Sequence, residues 1–309
     1  MKILITGIHG FVGSNLVAAL KENHTIYGVD IVSPVKEGVS YTFSWDDLDA
    51  GQVPAVDAII HLAGKAHDTK NQAAAEVYFK VNTGLTQKIY DFFLRSSARK
   101  FIFFSTAKAA ADKVEGVLTE DVVPAPVGPY GESKIRAEEY ILAHPAPEKS
   151  VYILRPCMIH GPGNKGNLNL LYSVVSKGIP WPLGAFENQR TFTSIDNLSF
   201  VISGLMDKDV PSGIYNMGDD EALSTNELIQ VICGSLGKKA HIWKLPKGLM
   251  NGVARVGGWL HLPLDPERLR KLTENYISSN AKIKKALGVE RMPVEAREGL
   301  MRTLEAFKG

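Results

Sequence analysis

Tyr130 and Lys134 stand four residues apart in the run P-Y-G-E-S-K, where a helical pattern begins. Side chains at this spacing are neighbours on one helix face, so the phenol and the ammonium are expected to meet. A nearby positive charge favours the phenolate and lowers a tyrosine pKa from its usual value of about 10. Such a phenol can exchange a proton with a sugar or alcohol hydroxyl. The spacing alone also fits a solvated tyrosine on a surface helix, so the surrounding sequence has to distinguish this interpretation from a proton-transfer pair.

A glycine-rich turn near the N-terminus has the spacing of a dinucleotide-binding loop. It follows a short β-branched run over residues 2–6 and opens a helical segment. Glycines placed in this way permit a tight turn, close approach of the backbone to a pyrophosphate and close helix–strand packing. The helix N-terminus adds free N–H donors for the phosphates. The predicted loop contacts are Gly7, Gly10, Phe11, Val12 and Gly13.

Asp30 ends the second predicted strand, 17 residues after Gly13. A carboxylate there accepts hydrogen bonds from ribose hydroxyls and repels a 2′-phosphate, which favours NAD over NADP. The alternative is an ordinary turn residue, because Asp is common in turns. The neighbouring Ile31 is assigned to the same cofactor site. So is the small-residue run that ends the third strand, Leu62, Ala63 and Gly64.

Hydroxyl side chains follow the fourth predicted strand. The apolar run 101–104 leads directly into Ser105 and Thr106, and ligands bind at the carboxyl ends of strands in open α/β sheets. A hydroxyl at that edge can hydrogen-bond a reacting oxygen while Tyr130 moves its proton. Hydroxyls that only cap the strand end remain the alternative.

The elements that must position these residues alternate between strand and helix. Strand patterns cover residues 2–6, 25–29, 58–62, 101–104 and 151–154, and helical patterns cover 11–22, 71–96 and 133–142. The alternation predicts an α/β fold, a Rossmann-type doubly wound parallel sheet. Further helical patterns, at 197–206, 226–236, 249–260 and 293–307, predict a smaller, mainly helical C-terminal substrate lobe.

We therefore expect an NAD-binding Rossmann domain over residues 1–165 and a substrate-binding lobe over residues 166–309. Residues of roughly 190–220 are expected to be interleaved with the first domain. The segment 213–217 is the reason, because its pattern suggests a return to the sheet.

Composition excludes several other classes of protein. The 309 residues are 45% hydrophobic and 22% charged, with a formal net charge of +2, which gives no reason to expect nucleic acid or an anionic membrane as partner. No stretch approaches the roughly 18 apolar residues of a membrane span, so no membrane insertion is expected. Cys157 and Cys233 sit in apolar runs and indicate burial rather than a disulfide framework. We expect a cytoplasmic protein without a metal site.

Together, these motifs resemble the extended short-chain dehydrogenase/reductase family, specifically its NAD-dependent nucleotide-sugar epimerases and dehydratases. The resemblance covers nearly the whole chain. Its carriers are T-G-I-H-G-F-V-G (6–13), Asp30, H-L-A-G (61–64), F-F-S-T-A (103–107), Y-G-E-S-K (130–134), R-P (155–156), H-G-P-G (160–163) and R-T-F-T-S-I-D (190–196). It implies a catalytic triad of Thr106, Tyr130 and Lys134, with Lys134 also on the nicotinamide ribose.

The resemblance also implies contacts that spacing alone does not. For the cofactor these are Lys65, Asn82, Ser105 and Pro156. For the substrate's nucleotide diphosphate they are Asn167, Leu168 and Arg190, with Arg268 as a second arginine that fits the family more loosely. A planar, bidentate guanidinium suits a diphosphate. Lys108 is assigned to the substrate.

One departure from the family pattern bears on the reaction. Many 4-epimerases have S-x-T-V-Y-G after the catalytic strand, whereas this chain reads T-A-K-A-A-A over residues 106–111. Lys108 at this place resembles a subgroup of bacterial surface-polysaccharide enzymes that includes 4-keto-6-deoxy-sugar reductases. A dehydratase usually needs an acid–base pair, which Ala107 and Lys108 do not supply.

The leading hypothesis is therefore an NAD-dependent 4-epimerase that acts on a UDP-hexose or UDP-N-acetylhexosamine through a transient 4-keto intermediate. We expect a homodimer. The alternatives are a reductase of a nucleotide-linked 4-keto-6-deoxy sugar and, from a different class, a non-catalytic NAD-binding redox sensor.

Overall fold

A parallel β-sheet forms the centre of the computed structural model, which describes residues 1–66, 74–164, 166–260 and 264–308. In chain order the strands are β1 (Lys2–Thr6), β2 (Thr25–Val29), β3 (Tyr41–Phe43), β4 (Ala58–His61), β5 (Lys100–Phe104), β6 (Val117–Leu118), β7 (Ser150–Pro156), β8 (Met158–His160), β9 (Phe192–Ser194), β10 (Gly213–Met217) and β11 (Ile277–Ser278). Within the described residues, seven of them form the main sheet in the order β10-β7-β5-β4-β1-β2-β3, and every neighbouring pair is parallel.

Helices flank this sheet and build the second half of the chain. They are α1 (Phe11–Leu20), α2 (Trp45–Asp49), α3 (Ala75–Tyr78), α4 (Leu85–Arg95), α5 (Ala107–Ala110), α6 (Pro129–Ala143), α7 (Asn167–Ser176), α8 (Ile195–Asp207), α9 (Thr225–Ser235), α10 (Lys247–Trp259), α11 (Pro266–Thr273), α12 (Ala281–Leu287) and α13 (Ala296–Glu305). A π-helical turn, Phe79–Gly84, joins α3 to α4. Among the helices of the described residues, none has the length and apolarity needed to cross a membrane.

Apolar side chains cover both faces of the sheet. Alternate residues of β1 point to opposite faces, so Ile3 and Ile5 pack with residues of α1 and α8, whereas Leu4 packs with residues of α4 and α6. This two-sided burial explains why the strands read as nearly continuous apolar runs. The predicted fold class, a doubly wound parallel α/β sheet, is confirmed.

The C-terminal lobe has a hydrophobic core of its own. Residues of α7, α9, α10, α11 and α13 pack together there around Trp181 and Phe192. The chain nevertheless returns to the main sheet, because β10 pairs in parallel with β7. Two small parallel sheets, β6 with β11 and β8 with β9, join early segments to later ones. The domain boundary at residues 165 and 166 stays a prediction.

Local structure differs from the sequence-based expectation in two places that affect the site. The helical pattern of residues 71–96 begins outside the described residues, at 71–73, and continues as α3, the π-helical turn and α4 rather than as one α-helix. Helix α6 begins at Pro129, earlier than expected, after Gly128 with φ +85°. Proline is favoured in the first helical turn because its missing N–H would be unpaired there. Tyr130 therefore lies in the first turn of α6.

Candidate active site

The carboxyl edge of the main sheet gathers the predicted site. Since all seven strands are parallel, the loops after β1, β2, β4, β5 and β7 leave from the same edge. These loops carry the glycine turn, Asp30, residues 62–65, and Ser105 with Thr106. The strand order thus brings together segments that are far apart in the sequence.

The glycine turn between β1 and α1 is closed tightly. Gly7 has φ +69°, and a Cβ there would lie 2.9 Å from the Ala63 backbone; a Cβ at Gly13 would lie 2.6 Å from the Gly7 carbonyl oxygen. Helix α1 begins directly after Gly10, which has no side chain to cap it, so the first N–H groups of the helix are left for a ligand. Such a turn fits the phosphates of a dinucleotide.

The Asp30 carboxylate lies against this turn. It accepts hydrogen bonds from the backbone N–H of His9 at 2.9 Å and of Ile31 at 2.7 Å, which fixes its orientation at the end of β2. The Ile31 side chain is almost fully exposed. The ribose contact expected of Asp30 stays a prediction.

Asn82 connects the loop after β4 to α6. Its Oδ1 accepts from the Lys65 N–H at 2.7 Å, and its Nδ2 donates to the Lys65 carbonyl at 3.1 Å and to the Ser133 hydroxyl at 2.9 Å. The side chain is fully buried, so it holds the loop after β4 from the interior of the protein. A Cβ at Gly64 would lie only 3.0 Å from Asn82 Oδ1 and 3.1 Å from Lys134 Nζ. A side chain at Gly64 would therefore crowd both groups where they approach the loop.

Thr106 and Tyr130 meet at the end of β5. The Thr106 side chain is buried and accepts from the Lys108 N–H at 3.3 Å. Burial raises the pKa of Tyr130, while a hydrogen bond from the Thr106 hydroxyl acts in the opposite direction and favours the phenolate. The net shift is upward, which contradicts the lowered pKa that the sequence predicted for Tyr130. Removal of the phenol from water is the larger effect.

Lys134 is 4% exposed and lies under the end of β5. Its Nζ donates to the Phe104 carbonyl at 2.8 Å and lies 4.9 Å from the centre of the Phe103 ring. Burial lowers the pKa of Lys134 to about 8, and the charge of Glu138 opposes this shift. The lysine is thus held at the strand end by the backbone, and it loses its proton near pH 8 rather than near pH 10.5.

Glu138 and Arg155 form a buried ion pair that sequence reasoning missed. Arg155 Nη2 lies 2.6 Å from Glu138 Oε2, and Nε lies 3.1 Å from both carboxylate oxygens. The Ser105 hydroxyl donates to the same carboxylate. Ser105 was predicted to contact the cofactor, but its hydroxyl is committed to Glu138 inside the protein. The available signals were an acid four residues after Lys134 and an arginine within the apolar run of β7.

The residues predicted to bind the substrate differ in how far they are exposed to solvent. Asn167 is exposed at the start of α7, whereas Leu168 is buried in the core of the lobe. The Leu168 side chain thus packs in the core, and its assignment to the substrate stays a prediction. Arg190 is half-buried, and its Nη1 donates to the Lys271 carbonyl of α11. Burial lowers the pKa of Arg190, and the charge of Glu274 opposes that shift.

A cluster of charged side chains leads from Thr106 towards Arg190. Lys108 Nζ lies 2.8 Å from Asp112 Oδ1 and 5.1 Å from the centre of the Tyr276 ring. Arg270 joins this cluster, with Nη1 3.4 Å from Asp112 Oδ2 and 3.0 Å from Glu274 Oε2.

Arg268 was the arginine predicted beside Arg190. Its side chain is 59% exposed and its Nε lies 3.5 Å from Asp265 Oδ2. Arg270, two residues later on α11, shares Glu274 with Arg190 instead. Sequence spacing did not distinguish the two arginines. Among the described residues, no group of three or more His, Cys, Asp or Glu side chains is arranged to hold a metal ion.

The chain is similar in sequence to known proteins. The model of the NAD dependent epimerase/dehydratase family matches residues 3–218. A UDP-glucose 4-epimerase of Vibrio cholerae is 33% identical over 263 residues, which cover 79% of this chain and 78% of the relative. An N-acetyl-alpha-D-glucosaminyl-diphospho-ditrans,octacis-undecaprenol 4-epimerase of Escherichia coli O157:H7 is 25% identical over 325 residues, covering 98% of this chain and 94% of the relative.

Solved structures show the same fold. A UDP-glucuronic acid 4-epimerase from Bacillus cereus in complex with NAD superposes with a TM-score of 0.76 at 22% identity. The match covers 100% of this chain and 99% of the other. At that identity the likeness is one of architecture.

Proposed function

Because the chain belongs to the NAD-dependent epimerase/dehydratase family, we propose that it is a 4-epimerase of a UDP-hexose or UDP-N-acetylhexosamine. The observation that carries the proposal is the meeting of Thr106, Tyr130 and Lys134 at the carboxyl end of β5. A hydroxyl, a phenol and a buried lysine together suit proton exchange with a sugar hydroxyl.

The cofactor site supports the redox part of the proposal. The turn of Gly7, Gly10 and Gly13 would hold the pyrophosphate of NAD, and Asp30 would hold the adenosine ribose. Lys134 would hold the nicotinamide ribose. When bound, NAD would accept a hydride from C4 of the sugar, and in its reduced form it would donate one to the 4-keto sugar.

Tyr130 moves the proton in this mechanism. In its ionised form, which burial disfavours, it takes the proton of the C4 hydroxyl when C4 is oxidised, and it gives that proton back when the 4-keto sugar is reduced on its other face. The Thr106 hydroxyl hydrogen-bonds the phenol and favours its ionised form. The Lys134 ammonium, buried nearby, adds a positive charge while it stays protonated.

Inversion at C4 requires the sugar to turn while the rest of the substrate stays bound. Arg190 supports this step, because its guanidinium is held by the carbonyl of Lys271 and lies on the lobe rather than on the sheet. A fixed arginine is suited to a diphosphate, so the nucleotide end is anchored away from the reacting carbon. Lys108, which pairs with Asp112 beside the Tyr276 ring, would contact the substrate between these two ends.

The reaction is tested with the purified full-length chain. NAD(H) released on denaturation is assayed, and UDP-glucose, UDP-galactose and their N-acetylated counterparts are followed by NMR without added cofactor. Interconversion of C4 epimers is expected. Turnover restricted to a 4-keto sugar, with stoichiometric use of reduced cofactor, would overturn the proposal in favour of a reductase.

The mechanism is tested by removing one hydroxyl. Tyr130→Phe should lower kcat by about 100-fold or more, the usual contribution of a general acid–base group, while leaving the unfolding transition in place. Tyr140→Phe is the matched control on the same helix, because its hydroxyl donates to Asp91 at 2.7 Å instead. Full activity in Tyr130→Phe would remove Tyr130 from the reaction.

A further inference from the structure

Helix α10 exposes an apolar stripe on the substrate lobe. Its inward face consists of Met250, Ala254 and Gly257, all buried. Four large apolar side chains beside that face are between 46% and 55% exposed: Leu249, Val253, Val256 and Leu260. Their spacing of four, three and four residues places them on one side of the helix. An ordinary surface helix would carry polar residues there.

Two tryptophans extend this exposed apolar surface. Trp259, at the C-terminus of α10, is 81% exposed, and Trp243, shortly before the helix, is 54% exposed. Tryptophan combines a large apolar ring with an N–H donor, so it favours the boundary between water and the hydrocarbon of a bilayer. We call the surface formed by Trp243 and residues 247–260 the α10 face.

The charge around the α10 face has one sign. From residue 228 to residue 264 the sequence contains no Asp or Glu. The same segment carries five exposed cationic side chains: Lys238, Lys239, Lys244, Lys247 and Arg255. This local excess is larger than the net charge of +2 of the whole chain, so the chain's overall balance conceals it.

The nearest acids on the C-terminal side do not cancel this charge. Asp265 and Glu267 lie at the start of α11, which packs beside α10. Each is already paired with a cation of its own helix, Asp265 with Arg268 at 3.5 Å and Glu267 with Lys271 at 2.5 Å. The lysines before and at the start of α10 are therefore left to attract an anionic partner.

We propose that the α10 face docks the enzyme on the surface of an anionic lipid bilayer. An amphipathic helix with exposed Leu, Val and Trp beside Lys and Arg has the composition of a helix that lies in the membrane plane. The helix has 13 residues, about 20 Å in length, which is too short to cross a hydrocarbon core of about 30 Å. The proposal therefore concerns docking on the membrane surface. The formal net charge of +2 gave no reason to expect an anionic membrane as partner, but the α10 face carries a local positive charge that does.

A protein partner fits the same surface less well. Lysine is depleted at the cores of protein–protein interfaces, whereas juxtamembrane lysines are attracted by anionic headgroups. The α10 face also lies near the substrate lobe's arginine, because α11 contacts both α10 and Arg190, whose guanidinium donates to the Lys271 carbonyl. Docking would thus hold the substrate lobe beside the bilayer.

The test is co-sedimentation of the full-length protein with vesicles. Vesicles of phosphatidylglycerol and phosphatidylcholine in equal parts should bind the protein, those of phosphatidylcholine alone should bind it far less, and added salt should weaken binding. Lys244→Ala combined with Lys247→Ala should lower the affinity about 25-fold, at about fivefold for each lysine near an anionic surface. Binding should also shift tryptophan emission to shorter wavelength, and Trp259→Phe should reduce that shift.

The apolar stripe is tested with Val253→Glu combined with Val256→Glu, which should abolish sedimentation. Leu142→Glu is the control, because Leu142 is 56% exposed on α6, and it should bind as the native protein does. The proposal fails if the native protein stays in the supernatant or if the stripe variant still binds. It also fails if the only effect of the stripe variant is that a dimer of the protein separates into monomers. Epimerase activity without vesicles is measured separately, so docking and the proposed reaction stand or fall independently.

Discussion

Two opposing effects set the pKa of Lys134. Burial under β5 disfavours its ammonium, and the Glu138 carboxylate, one helical turn away, favours it. Glu138 is in turn fixed by Arg155 and by the Ser105 hydroxyl. The arginine of β7 and the serine after β5 therefore act on the candidate catalytic lysine through Glu138, and we regard them as positioning residues.

Lys134 should make the stability of the protein depend on pH in a defined window. Its pKa is about 8 in the folded chain and near its ordinary 10.5 when unfolded. Between these values the unfolded chain binds more protons, so the free energy of unfolding rises with pH. Relative to Lys134→Met, the native protein should gain about 1 kcal/mol from pH 8 to pH 9. Urea unfolding at both pH values measures this, and a difference that does not change with pH would contradict it.

Glu138→Gln should destabilise the protein by about 3–5 kcal/mol, because it leaves the buried Arg155 guanidinium without its counter-charge. Urea unfolding at neutral pH gives the value. Glu267→Gln removes one partner of an exposed pair on α11 and should cost less than about 1 kcal/mol. Equal losses in the two variants would mean that burial adds nothing to the Glu138–Arg155 pair.

At the scale of elements, the sequence is informative wherever one local pattern determines the outcome. Six strands of the main sheet, α1 and the helix that carries Tyr130 and Lys134 follow from short-range periodicity, whereas β3 (Tyr41–Phe43) was not predicted. The π-helical turn does not, because it depends on Asn82 and Thr83 bonding to Ser133 of a distant helix. The Ser105–Glu138 contact could not be predicted from local sequence for the same reason, because it joins a strand end to a distant helix. Arg268 and Arg270 could be distinguished only once α11 was oriented.

The glycine turn allows a prediction at this scale. In Gly13→Ala the new methyl group would lie 2.6 Å from the Gly7 carbonyl oxygen and 2.8 Å from Ile8 Cα, so α1 must move away from β1. We expect a loss of about 1–3 kcal/mol in stability and weaker NAD binding, measured by urea unfolding and by calorimetry. Gly234→Ala in α9 is the control, because a Cβ there meets nothing within 4 Å. It should stabilise the protein by up to about 1 kcal/mol.

At the scale of the whole molecule, the two halves of the chain are joined at several places. Strand β10 completes the sheet beside β7, and α8 covers one of its faces with Leu198, Val201 and Ile202. Helix α12 adds Ile283 and Leu287 to the same core. The interleaving expected from the sequence pointed to this region, but which strand β10 would pair with depends on the sheet order.

A fragment of residues 1–165 should therefore fail to unfold cooperatively, because it lacks β10 and the apolar cover of α8. A fragment of residues 1–218 restores both and should regain a cooperative transition, at a lower urea concentration than the full chain. Circular dichroism during urea titration measures each transition. A shorter fragment as stable as the full chain would show that the sheet does not need β10.

The late arrival of β10 also has a consequence for synthesis in the cell. A ribosome finishes β7 at Pro156, yet β10 begins only at Gly213. In the interval the nascent chain carries a strand edge with unpaired N–H and C=O groups, which is the kind of edge to which other chains add. Until Met217 has left the exit tunnel, that edge of the nascent chain stays open to pairing with other chains.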